Sequence, residues 1–160
     1  MNIANLKATW GLRAFGLAKI PMIAYLSPRV LEIGAQRVEV CLPLTWRSRN
    51  HLNSMYFGAL AVGADCACGL LAMHHIETHK KHTISLVFKD FSAQFLKRPE
   101  GDVHFSCEMG PEIAALVQRT VDSGERCHLP LHVTATVPKL LGKEPAATFV
   151  LTLSLKAKAK

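Results

Sequence analysis

A single stretch, Asn50 to Met73 (N-H-L-N-S-M-Y-F-G-A-L-A-V-G-A-D-C-A-C-G-L-L-A-M), limits what this chain can fold into more than any other. From Tyr56 onward it has no proline and one charge, Asp65, set among Gly58, Ala59, Ala61, Gly63, Ala64, Ala67, Gly69 and Ala72. The pattern predicts a helix of about five turns, apolar nearly all the way round and therefore buried on most faces. So many small residues mean that neighbours approach its backbone closely from several sides. A lone carboxylate in such a helix is costly unless it is paired or put to use. The rest of the chain reads as a wrapper for this element.

The same stretch is nearly long enough to cross a bilayer. A central Asp costs about 3 kcal/mol on insertion scales, and glycine and alanine drive insertion only weakly, so a buried core helix is the expectation. With 160 residues, 49% hydrophobic and 19% charged, the chain suits one folded domain with a substantial core. Its formal charge of +7 suits polyanionic partners. The basic residues form no run with interleaved aromatics, so a nucleic-acid partner is not expected. Five cysteines, odd in number and without framework spacing, point to a reduced, cytoplasmic setting. Cys66 and Cys68 fall about 200° apart on a helix and cannot share one metal.

Residues 1–33 carry Lys7, Arg13, Lys19 and Arg29, and the first acid is Glu32. These charges interrupt the apolar residues, which argues against a secretory signal. Lys7, Arg13 and Lys19 lie about 120° apart around a helix and build no single polar face. One or two short helices, broken near Pro21 and Pro28 and packed on the domain, are expected, with peripheral membrane contact as the other option.

From Gln36 the period becomes two. Val38, Val40, Leu42, Leu44 and Trp46 share one face of a strand, which Pro43 places at an edge or a bulge. His75 and His79 have ligand-pair spacing if the central helix runs through Thr78, but no third ligand is near and no metal is expected. Ile84, Leu86 and Phe88 form the next strand face. The phase then slips to Phe91, Ala93 and Phe95, so a β-bulge is expected at Lys89-Asp90. A strand with Val103, Phe105, Cys107 and Met109 inward precedes a short helix over 111–121 carrying Ile113, Leu116, Val117 and Thr120 on one face. Two long strands follow, one with Cys127 to Val137 alternating inward and one with Ala147 to Leu155. A turn around Gly142 joins them, and the final K-A-K-A-K reads as a solvated tail. The expected fold is one α+β domain over 1–160, an antiparallel sheet of five or more strands curved around one long helix.

This order of elements resembles the hotdog fold over about 36–156, with 1–33 as a helical extension outside the core. The sharper similarity is to acyl-CoA thioesterases of the phenylacetate-pathway type. Their motif is an Asn, a glycine-containing turn, His-Gly-Gly, and a helical Asp nine residues after the His. Here Asn50 stands at the Asn, Tyr56-Phe57-Gly58 at His-Gly-Gly, and Asp65 at the acid without a gap. The N-H-L-N-S-M-Y-F-G-A-L wording is closest to a thioesterase-like subfamily of unassigned substrate.

The resemblance implies a homodimer whose site takes its acid and its Asn from different chains, and leaves open whether dimers pair further into a tetramer. It implies hydrolysis of an acyl-CoA or other acyl thioester with no cofactor beyond the substrate's own coenzyme A. Asp65 is then the general base or nucleophile, Asn50 the positioning group and the Gly58 amide the oxyanion donor. Tyr56 and Phe57 depart from the pattern; Tyr56 can donate its hydroxyl to the thioester, or simply pack at the helix start. The departure also motivates an alternative, a binding protein that keeps acyl-CoA affinity without turnover. A hydratase needs a His matched to Asp65, which the helix lacks. His51 and Ser54 sit in no nucleophile-elbow context. Lys80, Lys81, Lys89, Lys97, Arg98, Lys139 and Lys143 are the candidates for coenzyme A phosphates.

Overall fold

Small residues dominate the longest helix, and the rest of the chain closes around them. The computed structural model describes residues 3–159. In chain order the elements are α1 (Ile3–Lys19), α2 (Pro21–Leu26), β1 (Arg29–Ile33), β2 (Val38–Leu42), α3 (Phe57–Ile76) and β3 (His82–Phe95). They continue with β4 (Val103–Cys107), α4 (Gly110–Ser123), β5 (Arg126–Thr136), α5 (Pro138–Leu141) and β6 (Pro145–Ala159). The strands form one antiparallel six-stranded sheet in the order β1-β2-β4-β5-β6-β3, curved with α3 packed against it. This is the hotdog fold.

α3 buries Ala59, Leu60, Gly63, Ala64, Cys66, Ala67, Cys68, Leu71 and Ala72. Gly63 shows why small residues are needed: a Cβ there would lie 2.3 Å from the ring of Phe105 on β4. The ring takes the space a side chain would fill, so strand and helix approach at backbone distance. α3 is long and apolar enough to span a membrane, yet half of its apolar window is buried inside the fold.

The bulge expected in β3 is present. The register with β6 shifts between Phe88 and Phe91, so Ile84, Leu86 and Phe88 before it and Ala93 after it all pack toward the core. α4 starts at Gly110 with Pro111 in its first turn and buries Ile113, Leu116, Val117 and Thr120. All five cysteines are free.

Four expectations are corrected. Residues 29–33 are not helical extension but an edge strand of the sheet, paired antiparallel with β2. β2 is interior, between β1 and β4, and stops at Leu42, because Pro43 has no N–H to continue the ladder. Trp46 therefore lies outside the strand, 68% exposed, with its ring edge-on to Tyr25 at 6.1 Å. The basic tail is paired as well: Lys156, Lys158 and Ala159 of β6 oppose Ser85, Thr83 and His82 of β3.

Candidate active site

Asp65 is the ninth residue of α3, and it faces the gap between α3 and β3. A cavity of about 520 Å³ opens there. Leu12, Phe15 and Ile23 of the N-terminal helices wall it on one side, Leu70 and Met73 of α3 on a second, and Leu86 and Phe88 of β3 on a third. A shallower depression of about 280 Å³ lies on the other side of the carboxylate, against Phe91 and Leu151. Among the described residues the Asp65 carboxylate has no hydrogen bond and no ion pair, so it is not a structural carboxylate held by a neighbouring Ser, Thr or Asn. Burial in this apolar wall pushes its pKa up. The arrangement is one proton acceptor, poorly solvated, beside room for an apolar chain.

Asn50 lies elsewhere, in the loop that leads into α3. Its Oδ1 accepts from the Leu52 backbone N–H at 2.8 Å and the Ser54 backbone N–H at 3.3 Å, and its own backbone N–H donates to Ser54 O at 2.8 Å. Asn53 takes the left-handed conformation at φ 59°, which Asn tolerates well. The Asn50 side chain thus builds the turn. The Tyr56 amide then donates to Ser48 O at 2.8 Å, and the Met55 amide to Pro99 O at 2.9 Å, which fixes where α3 begins.

No side chain caps α3. The first intrahelical bond runs from the Leu60 amide to Tyr56 O at 3.1 Å, leaving the Phe57, Gly58 and Ala59 amides as the unbonded first turn. Positive potential from the helix end gathers at these groups. Tyr56 and Phe57 stand over them, 48% and 61% exposed, with ring centroids 4.7 Å apart. The direction a Cβ of Gly58 would take is filled by the Tyr56 ring, 2.6 Å away. Gly58 thus makes room for its own neighbour's ring. A depression of about 560 Å³ surrounds this helix start, lined by Asn50, Tyr56, Phe57, Phe95, Lys97 and Arg98 among others.

Asn50, Tyr56 and Gly58 therefore come together, and Asp65 does not join them. Seven residues of helix separate Gly58 from Asp65, about 10 Å along the axis, well beyond the reach of a carboxylate to a carbonyl held at the helix start. Of the basic candidates, Lys97 and Arg98 lie at the helix start, where they pair with Glu144 at 2.5 Å and Glu100 at 3.3 Å. Lys143 lines a polar basin of about 800 Å³ on the opposite face of the sheet, with the Glu39–His104 pair at 2.8 Å. α3 ends at Ile76, so His75 and His79 do not share a helical face, and no group of three metal-binding side chains occurs among the described residues. That Leu12, Phe15 and Ile23 wall the Asp65 cavity has no local signature, because the contact spans more than forty residues of chain.

A family model described as a domain of unknown function matches residues 8–147. No curated protein matches the sequence. Among solved structures, the chain is similar to a probable thioesterase of unknown function from Pseudomonas aeruginosa at 20% identity and TM-score 0.77, covering 94% of this chain and 96% of that one. A protein of unknown function from Chlorobaculum tepidum aligns at 12% identity and TM-score 0.81, over 95% and 96%. A putative thioesterase from Shewanella oneidensis aligns at 14% identity and TM-score 0.76, over 92% and 96%. At these identities the likeness shows the shared fold.

Proposed function

The chain belongs to the DUF4442 family, and from that premise and the unpartnered Asp65 we propose that it is a homodimeric thioesterase acting on an acyl-CoA or another acyl thioester. The observation that carries the reading is a half-buried carboxylate without a partner among the described residues, beside an apolar cavity in a thioesterase-like hotdog fold. In this reading the Asp65 carboxylate takes a proton from water as the oxygen attacks the thioester carbonyl carbon. The alternative is direct attack by the carboxylate to form an anhydride that water then cleaves. The carbonyl oxygen gains negative charge and is met by the Phe57 and Gly58 amides of the other chain. The C–S bond breaks, and the thiol leaves with a proton. Asn50 acts by holding the loop that sets the helix start. Two chains are needed because one chain keeps acid and amides about 10 Å apart.

Coenzyme A release from a panel of acyl and aryl thioesters, read chromatographically because of the native thiols, tests the reading. Asp65→Asn should lower turnover about a thousandfold while the fold is kept. Undiminished turnover in that variant would overturn the assigned role of the acid.

One observation favours the second reading, a non-catalytic acyl-CoA binder: the Tyr56 ring lies over Gly58 at the helix start. Binding of acyl-CoA with no thioester cleaved by the wild type would select it.

A further inference from the structure

The first N-terminal helix is apolar on the side that faces the domain and along one exposed flank. α1 turns Thr9, Leu12 and Gly16 inward. Along the flank stand Ile3, Trp10 and Leu17, spaced at seven residues and 72%, 65% and 77% exposed, with Leu6 beside them. Met22 and Tyr25 of α2 are exposed as well, and Trp46 packs edge-on against Tyr25. The Arg47 guanidinium lies 5.4 Å from the centroids of both rings. Apolar side chains exposed in such number on one soluble surface mark a docking face.

Lys7 is exposed beside the stripe on α1, Lys19 is exposed on the other flank of the helix, Arg47 stands at the aromatic pair, and residues 1–31 hold no acid. Two copies meeting here would bring basic side chains against basic side chains. A surface of anionic headgroups over acyl chains would satisfy both the charges and the apolar stripe, with Trp and Tyr at the level where amphipathic rings settle. Phe15 and Ile20, both partly exposed, line the Asp65 cavity.

We propose that the exposed face of α1 and α2, with Trp46 and Arg47, docks the protein on an anionic lipid bilayer. The proposal stands independently of the thioesterase reading, since it rests on surface residues that play no part in that chemistry.

The full chain, sedimented with vesicles of phosphatidylcholine alone and with equimolar phosphatidylglycerol, tests it. Binding should be about tenfold stronger to the anionic vesicles and should weaken with salt, and tryptophan emission should shift to the blue. Trp10→Ser/Leu17→Ser should lose about tenfold in affinity, and Lys7→Glu/Arg47→Glu should lose at least as much. Both variants should keep the wild-type circular dichroism and sedimenting mass, because all four side chains are exposed. Failure of the wild type to bind anionic vesicles would overturn the proposal, as would variants that bind like wild type. A change of oligomeric mass in Trp10→Ser/Leu17→Ser would overturn it too, by showing that the face is a seam between copies.

Discussion

The sheet ends on two edges that are treated in opposite ways. At the β1 edge, helix α1 supplies the missing partners: Val30 N–H donates to Thr9 Oγ1 at 2.9 Å, and Asn5 Nδ2 donates to Leu31 O. Arg13 donates to Pro28 O at 2.9 Å and to Ser27 O at 3.1 Å. At the other end β3, fourteen residues long, pairs with β6, and no other strand among the described residues pairs with its outer edge. Val87, Phe91 and Phe95 are half-exposed along that strand. A long apolar edge left open is an aggregation hazard unless another strand covers it. One edge is finished within the chain, and the other is suited to a second copy.

The difference can be broken from the open side with the largest effect. If β3 is where two chains meet, Val87→Asp should turn a dimer into a monomer and lower thioester turnover at least about a hundredfold, because one chain alone cannot bring acid and amides together. Sedimentation velocity and coenzyme A release on the same sample read both. Monomeric protein with full turnover would detach the site from that edge.

The closed edge should respond in stability and not in assembly. Thr9→Val keeps the shape but leaves the Val30 N–H buried without an acceptor, at a cost of about 1–3 kcal/mol. Thermal melting should fall accordingly, with mass and turnover unchanged, and Thr9→Ser should restore most of the loss.

A smaller effect follows from pH. Burial raises the Asp65 pKa in the folded state, so between the unfolded and folded values the native chain holds a proton that the unfolded chain has released. Stability contributed at low pH is therefore lost as pH rises through that window. Activity needing the ionised base should rise over the same window, and Asp65→Asn should flatten the stability curve. Melting temperatures of wild type and variant across mildly acidic pH test the sign: divergence in the opposite direction would mean that something stabilises the carboxylate.

The elements legible in the sequence were those whose pattern is local. The small-residue run gave α3, the phase slip between Phe88 and Phe91 gave the bulge, and the spacing of Ile113 to Thr120 gave α4. β1 was illegible because five residues after Pro28 show little alternation, and what makes them a strand is pairing with β2 and cover from α1. The K-A-K-A-K end has the composition of a tail, and its register against residues 82–85, with Lys156 also opposite Arg126, holds it in the sheet. Trp46 continued an alternation that Pro43 had already ended. At the site, the Asp65 position was readable from its isolation among apolar residues. The turn-building role of Asn50 was also written locally, in the short Asn50-to-Ser54 loop. The N-terminal wall of the Asp65 cavity, and the 10 Å that divide acid from amides, depend on tertiary placement and helix length.

The central claim is that a working site takes Asp65 from one chain and the α3 start from the other. Mixing two inactive variants tests it most directly: Asp65→Asn, and Gly58→Val, which crowds the amides and displaces the Tyr56 ring. After unfolding and refolding together, half of the dimers are mixed, and each mixed dimer carries one intact site. About a quarter of wild-type turnover should return. No recovery, with mixed dimers demonstrated by mass, would place acid and amides of each site in a single chain and contradict the account.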